Sequence, residues 1–295
     1  MVPRGLGQAH LVIVGTSVLR NALRLLEQDR LGSCRGGDVA SCRDALAYCA
    51  DPRRLDRARC RELFGEECFE LVYCLLESSP QGMSAELNAM DWVLGQGCPG
   101  VEEIVLFASD TPEGGIAARL LARYLSGSCP GARIETVTVP GLGSEFWTGL
   151  LNIVKKVREK AREAHRRGDI VYLNATGGFK PETGMALIAA MLAAPTAAYY
   201  KHEAMRETVM LPALPLGIDK GRLRLAKAQL LGVARSGETI RLDDPGYAEI
   251  QWILSYLAMT GLLVSRGQGY YTVTDKAAEL LEILASIYDE LEPGP

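Results

Sequence analysis

Short apolar, β-branched runs recur along the first two thirds of the chain, and each is followed by a turn and then by residues at helical spacing. His10 to Val14 is the first such run, with a helix from Val18 to about Asp29 behind it. Glu103 to Ala108, residues 133–139, Ile170 to Leu173 and Thr196 to Lys201 repeat the pattern. The helices expected between them run from Ser84 to Leu94, through Leu125, from Ser144 to Arg167, and on to Leu192. A further extended stretch covers Glu207 to Leu211. Runs that are apolar throughout are strands covered on both faces. Strands alternating with helices predict an α/β fold, a Rossmann-like and mostly parallel sheet with helices on both faces.

After Pro215 the pattern changes. Helix from Leu223, extended Thr239 to Leu242, helix Gly246 to Thr260, hairpin from Leu262 to Val273 and a last helix capped by Thr274 predict a winged-helix domain. The expected domains are therefore 1–218 and 219–295, with short helices inserted near 32–68. That insertion is rich in arginine interleaved with Asp and Glu, which at helical spacing reads as a solvated surface.

The candidate chemistry lies in the turns. Asn174, Ala175, Thr176, Gly177 and Gly178 follow a buried strand, and Pro181 and Glu182 suit the first turn of the next helix. That register leaves Lys180 near the N-cap, where a cation opposes the helix dipole and no capping oxygen is available. A bound anion would repair the mismatch; a lysine pointing into water is the alternative. Gly15, Thr16 and Ser17 form a similar turn, with Ser17 as a natural N-cap and Arg20 and Asn21 in the first helical turn. Ser109, Asp110 and Thr111 cluster at the end of another strand. In parallel sheets ligands sit beyond the carboxyl ends of strands, where all three turns fall. Only Gly15 answers to the three spaced glycines of a dinucleotide fingerprint, so NAD is not expected.

Composition narrows the partners. A net charge of −4 over 295 residues gives no basic footprint for nucleic acid, so a nucleotide must be gripped locally. No apolar run is long enough to cross a bilayer, and a cytoplasmic location without membrane partner is expected. The eight cysteines contain no Cys-x-x-Cys pair and the histidines number three, so neither a metal site nor a cofactor is expected. The cysteines read as small core residues, with disulfides as the alternative.

Together, the Gly-Thr-Ser turn at 15–17, Ser-Asp-Thr at 109–111, Asn-Ala-Thr-Gly-Gly-Phe-Lys-Pro-Glu at 174–182 and Leu-Pro-Ala-Leu-Pro at 211–215 resemble the CRISPR-associated Rossmann fold (CARF) proteins, most of all the archaeal stand-alone ring nucleases. The resemblance implies a homodimer that binds cyclic oligoadenylate, above all cyclic tetra-adenylate, across its two-fold axis. It further implies metal-independent cleavage to linear di-adenylate with 2′,3′-cyclic phosphate ends, which switches off type III CRISPR signalling. The family's catalytic serine and lysine match Ser17 and Lys180. Ligand contacts are then expected from Gly15, Thr16, Arg20, Asn21, Ser109, Asp110, Thr111, Arg119, Asn174, Thr176, Gly177, Gly178 and Phe179.

Two rivals bear on this reading. Arg158 and His165 have the spacing of a HEPN ribonuclease site but fall in the middle of a charged helix, where solvation explains them. A non-catalytic sensor that acts on DNA through the winged helix is the other. Its recognition helix, from Tyr247 to Thr260, carries no Lys or Arg, which speaks against duplex binding.

Overall fold

The structure, a computed structural model, describes residues 7–34, 38–50, 57–178, 180–193, 196–201, 207–211, 220–250, 254, 257–258 and 262–290. The chain forms two compact units, Met1–Leu214 and Pro215–Pro295.

In the first unit, β1 (Gln8–Ile13) leads into α1 (Ser17–Glu27). The insertion follows as α2 (Val39–Cys49), α3 (Arg57–Leu63), α4 (Glu66–Ser78), α5 (Pro80–Met83), α6 (Ala85–Ala89) and α7 (Asp91–Leu94). Then come β2 (Val101–Ser109), α8 (Pro112–Ser128), β3 (Arg133–Val139), α9 (Phe146–Arg166), β4 (Ile170–Asn174), α10 (Lys180–Ala193), β5 (Thr196–Tyr200) and β6 (Val209–Leu211). The single helix expected from Ser84 to Leu94 is two short ones. Met90 ends the first, and Ser84 caps it by accepting a bond from the Leu87 amide at 3.2 Å.

The six strands stand in the order β3-β2-β1-β4-β5-β6, parallel except for β6, which runs antiparallel to β5. Every residue of β1 is buried, as a strand at the centre of a sheet covered on both faces must be. The chain moves outward from β1 to β3 and then returns to the other side of β1 for β4. Right-handed connections therefore put α1 and α8 over one face, and α9 and α10, which pack together, over the other. The point where the order reverses lies between β1 and β4, and their carboxyl ends open the crevice in which such sheets bind ligands. At the opposite end of the sheet, buried Glu103 holds Arg133 and Arg167, and Arg167 also pairs with Asp169 at 3.0 Å.

Beside these strands lies a buried aromatic group. His10 on β1 stacks on Tyr172, and Trp92 and Tyr199 pack edge-on around the pair. Burial lowers the His10 pKa to about 3, so the ring is neutral.

The cysteines depart from the reading as free core residues. All eight are paired, as Cys34–Cys74, Cys42–Cys68, Cys49–Cys60 and Cys98–Cys129. Three of these bridges tie α2 to α4 and the segments around them into one block. No local spacing could announce it, because the partners lie 11 to 40 residues apart and meet only when the helices pack.

The second unit holds a helix, Lys220–Ser236, a three-stranded antiparallel sheet in the order β7 (Thr239–Arg241), β9 (Tyr270–Val273), β8 (Leu263–Gly267), and a last helix, Asp275–Glu290. Thr274 caps that helix through the Ala277 amide at 3.1 Å. The helix expected from Gly246 begins as a 3-10 turn, Pro245–Ile250. Most of its remainder lies outside the described residues.

Candidate functional site

Two turns meet at the reversal point of the sheet. The first joins β1 to α1 through Gly15 and Thr16, and the second joins β4 to α10 through Ala175 to Gly178. They approach so closely that a Cβ on Gly15 would stand 3.0 Å from the Gly178 amide nitrogen. Gly178 has φ +78°, a left-handed conformation that favours glycine, and a side chain there would also press on Ile13.

Between the turns lies Glu86, a residue the sequence reading did not single out. Its side chain is 1% exposed. Oε1 accepts the Gly15 amide at 2.7 Å, and Oε2 accepts the Ser84 hydroxyl at 2.7 Å and the Ser17 hydroxyl at 3.3 Å. A Cβ on Gly177 would fall 2.2 Å from Oε1 and 2.5 Å from the Ile13 carbonyl oxygen, so the second turn must be glycine where the carboxylate lies against it. The first turn of α1 contains no acidic residue, and Glu86 supplies from α6 the negative charge that such a helix end favours. Its only trace in the sequence is a carboxylate two residues after a helix-capping serine, a signal too common to notice.

Ser17 is not the N-cap. Thr16 holds that position, with φ −103° and no side-chain cap bond, and Ser17 is the first helical residue. Its hydroxyl is instead drawn to Glu86 and to the Ala85 amide, which donates to it at 3.2 Å. Because the helix starts at Ser17, the serine hydroxyl is left to donate to a charged acceptor from another helix, a stronger bond than one between neutral groups.

Several expected contacts hold the site together from behind. Asn174 is fully buried, donates to the Glu86 carbonyl at 3.0 Å and accepts the Thr176 amide at 3.1 Å. Asn21 donates to the Met83 carbonyl at 3.0 Å. Thr176 accepts the Lys201 amide at 3.3 Å, which ties the turn to the end of β5. Ser109 and Thr111 share a hydrogen bond of 2.8 Å, and Thr111 caps α8 through the Gly114 amide. Asp110 accepts the Gly141 amide at 3.0 Å, while Glu182 accepts the Gly143 amide at 3.1 Å. The 141–143 turn is thereby fastened to β2 on one side and to α10 on the other.

Arg20 is exposed on the first turn of α1. Arg119 is not brought to these turns. It lies midway along α8, paired with Glu66 at 3.8 Å and over the Phe69 ring, on the insertion helix α4. Lys180 begins α10 directly behind the second turn. Its side chain, and all of Phe179, lie outside the described residues.

Residues 81–214 match the model of a family described as CRISPR-associated protein (Cas_APE2256). This part, less than half of the chain, is thus similar to a CRISPR-associated family. The match takes in α6 with Glu86, the strands β2 to β6 and the whole 174–178 turn of the first unit; β1 and the Gly15 turn precede it. Among solved structures, the chain is similar to Can2 from Sulfobacillus thermosulfidooxidans in complex with cyclic tetra-adenylate, at 12% identity, 67% of this chain, 59% of that one and a TM-score of 0.30. It is also similar to protein VC1899 from Vibrio cholerae, at 14% identity, 94% of this chain, 66% of that one and a TM-score of 0.31. The chain thus spans less than two thirds of the length of either, and scores this low carry no inference about this protein.

Proposed function

We propose that this chain is a ring nuclease: two copies bind one cyclic oligoadenylate, cyclic tetra-adenylate in the simplest case, and cleave it to linear di-adenylate with 2′,3′-cyclic phosphate ends. The observation that carries the reading is the meeting of two glycine turns and two helix N-termini, those of α1 and α10, at the reversal point of the parallel sheet, within and beside the stretch that matches a CRISPR-associated family. Backbone N–H groups and helix dipoles at such a place favour phosphate. A ring with two-fold symmetry is matched by an isologous dimer that presents both copies of these turns to one pocket. A carboxyl-terminal winged helix, and removal of a CRISPR signal as the biological outcome, belong to the same proposal.

The chemistry asks for little beyond position and charge. A ribose 2′-hydroxyl adjoins its own 3′-phosphate, so cleavage needs an in-line arrangement and stabilisation of the phosphoryl oxygens. Lys180 and the amides of the Gly177–Gly178 turn would supply the charge. Ser17, half-exposed at the foot of α1, would hold the reacting end of the nucleotide. Metal-independence belongs to the same proposal, since position and charge suffice for this chemistry.

Incubation of the purified protein with cyclic tetra-adenylate and excess EDTA, followed by chromatography, tests the proposal. Linear di-adenylate with cyclic phosphate ends is the expected product. An intact ring, or cleavage that appears only when magnesium or manganese is restored, would overturn it.

A further inference from the structure

The serine at the mouth of the site has its hydrogen-bonding capacity largely assigned by its surroundings. A hydroxyl has one proton to donate and two lone pairs to accept with. The Ser17 proton points to Glu86 Oε2 at 3.3 Å, and one lone pair receives the Ala85 amide at 3.2 Å. What is left is a single lone pair. An acceptor-only site repels a phosphate oxygen, which brings no proton, and receives a donor.

Resting on the ring-binding reading above, we propose that Glu86 is a positioning residue that fixes Ser17 as a hydrogen-bond acceptor, so that Ser17 receives the ribose 2′-hydroxyl of the ligand and not a phosphate oxygen. The site would then choose ribose over deoxyribose through this contact. It would also turn a lone pair of the 2′-oxygen away from Ser17 and toward the adjacent phosphorus.

The carboxylate is in no position to release the serine. Oε1 is held by the Gly15 amide at 2.7 Å, and Oε2 by the Ser84 hydroxyl at 2.7 Å. Ser84 in turn receives the Leu87 amide, so its own proton is committed to Glu86. Gly177 closes the other side, since a Cβ there would fall 2.2 Å from Oε1. The Asn174 amide holds the Glu86 main-chain carbonyl at 3.0 Å, which fixes α6 relative to the end of β4. The bonds from the Gly15 amide and the Ser84 hydroxyl keep the Glu86 carboxylate an acceptor and, through it, Ser17 a donor inward and an acceptor outward. The division also separates the tasks of the two turns: phosphate at the glycines and α10, ribose at Ser17.

The probes are cyclic tetra-adenylate and its all-2′-deoxy counterpart, with on- and off-rates measured by stopped flow before turnover on the full oxidised chain. The wild type should prefer the ribose ring by roughly tenfold or more, the weight of one to two hydrogen bonds. Ser17→Ala should remove most of that preference, and because the readout is the ratio of the two rings' affinities within each protein, it isolates the serine–hydroxyl coupling whatever the variant does to binding in general. Glu86→Gln should weaken the preference by another route, because an outward Ser17 proton can be given to a phosphate oxygen as well as to a 2′-oxygen. Its carbonyl keeps the Gly15 amide and its NH2 faces Ser17, which reverses the serine proton outward. Thermal melting checks that the variants fold, and if Glu86→Gln does not, the Ser17→Ala comparison decides alone. Equal binding of both rings by the wild type, or a preference that survives Ser17→Ala, would overturn this inference and leave the ring-binding reading standing. A wild type that binds neither ring would overturn both.

Discussion

Acidification from pH 7 to pH 5 should destabilise the first unit through one side chain, His10. Its ring is fully buried between Tyr172, Tyr199 and Trp92, and burial holds its pKa near 3 against 6.5 for a free histidine. Between those values the unfolded chain binds a proton that the folded chain refuses, so stability rises with pH there and falls as pH drops through it. Above pH 6.5 the loss is small. At pH 5 the unfolded histidine is mostly protonated and the folded one is not, and 1.5 pH units at about 1.36 kcal/mol each give a loss of about 2 kcal/mol. That is a large share of the ~5–15 kcal/mol by which domains are stable. His10→Phe keeps the apolar stacking and gives up the ring's bonds to the Tyr199 hydroxyl at 3.2 Å and to Gln8 at 3.4 Å, a loss common to both pH values. Urea melts followed by circular dichroism at pH 7 and pH 5 should show the wild type losing about 2 kcal/mol more than His10→Phe. Other titrating groups are common to both proteins and cancel in the comparison. Equal losses would refute the argument and show that the buried ring takes up a proton as readily as a free one.

Lys180→Ala should lower the single-turnover cleavage rate by about two to three orders of magnitude while affinity falls much less, since the lost donor acts on charge that grows in the transition state; a loss explained wholly by weaker binding, or none, would make Lys180 an anchor or a bystander. Light scattering should show a dimer without ligand, and calorimetry one ring per two chains; one ring per chain would refute a shared pocket. Reducing the disulfides should lower the melting temperature of the first unit, because closing a loop such as Cys34–Cys74 stabilises by about 4 kcal/mol in the chain-entropy account; an unchanged melt under reductant would show that the bridges do not contribute.

The local grammar of this chain was legible from its residues. The apolar run of β1, the glycine turn after β4 and the proline at the start of α10 each carry their conformation in a few neighbouring side chains, so strands, turns and their alternation follow from periodicity and from steric limits on the backbone. The crevice could be placed as well, because parallel strands linked by right-handed helices put every turn of this kind at one end of the sheet. What the sequence could not reveal depends on groups that meet only on folding. Glu86 lies 71 residues from Gly15 and 69 from Ser17, yet it decides which way the Ser17 proton points. Ser17 itself has the residue type of an N-cap, but the helix begins one residue earlier than that role needs and the serine hydroxyl goes to a carboxylate from a different helix. Arg119 has the chemistry of a phosphate ligand, and its place on α8 turns it to Glu66 and Phe69 instead. The cysteines likewise have no local sign of their pairing, since four bridges among eight thiols are selected by helix packing. Periodicity specifies which face of an element is buried, but not what it is buried against, and hydrogen-bond direction at this site is set by the latter.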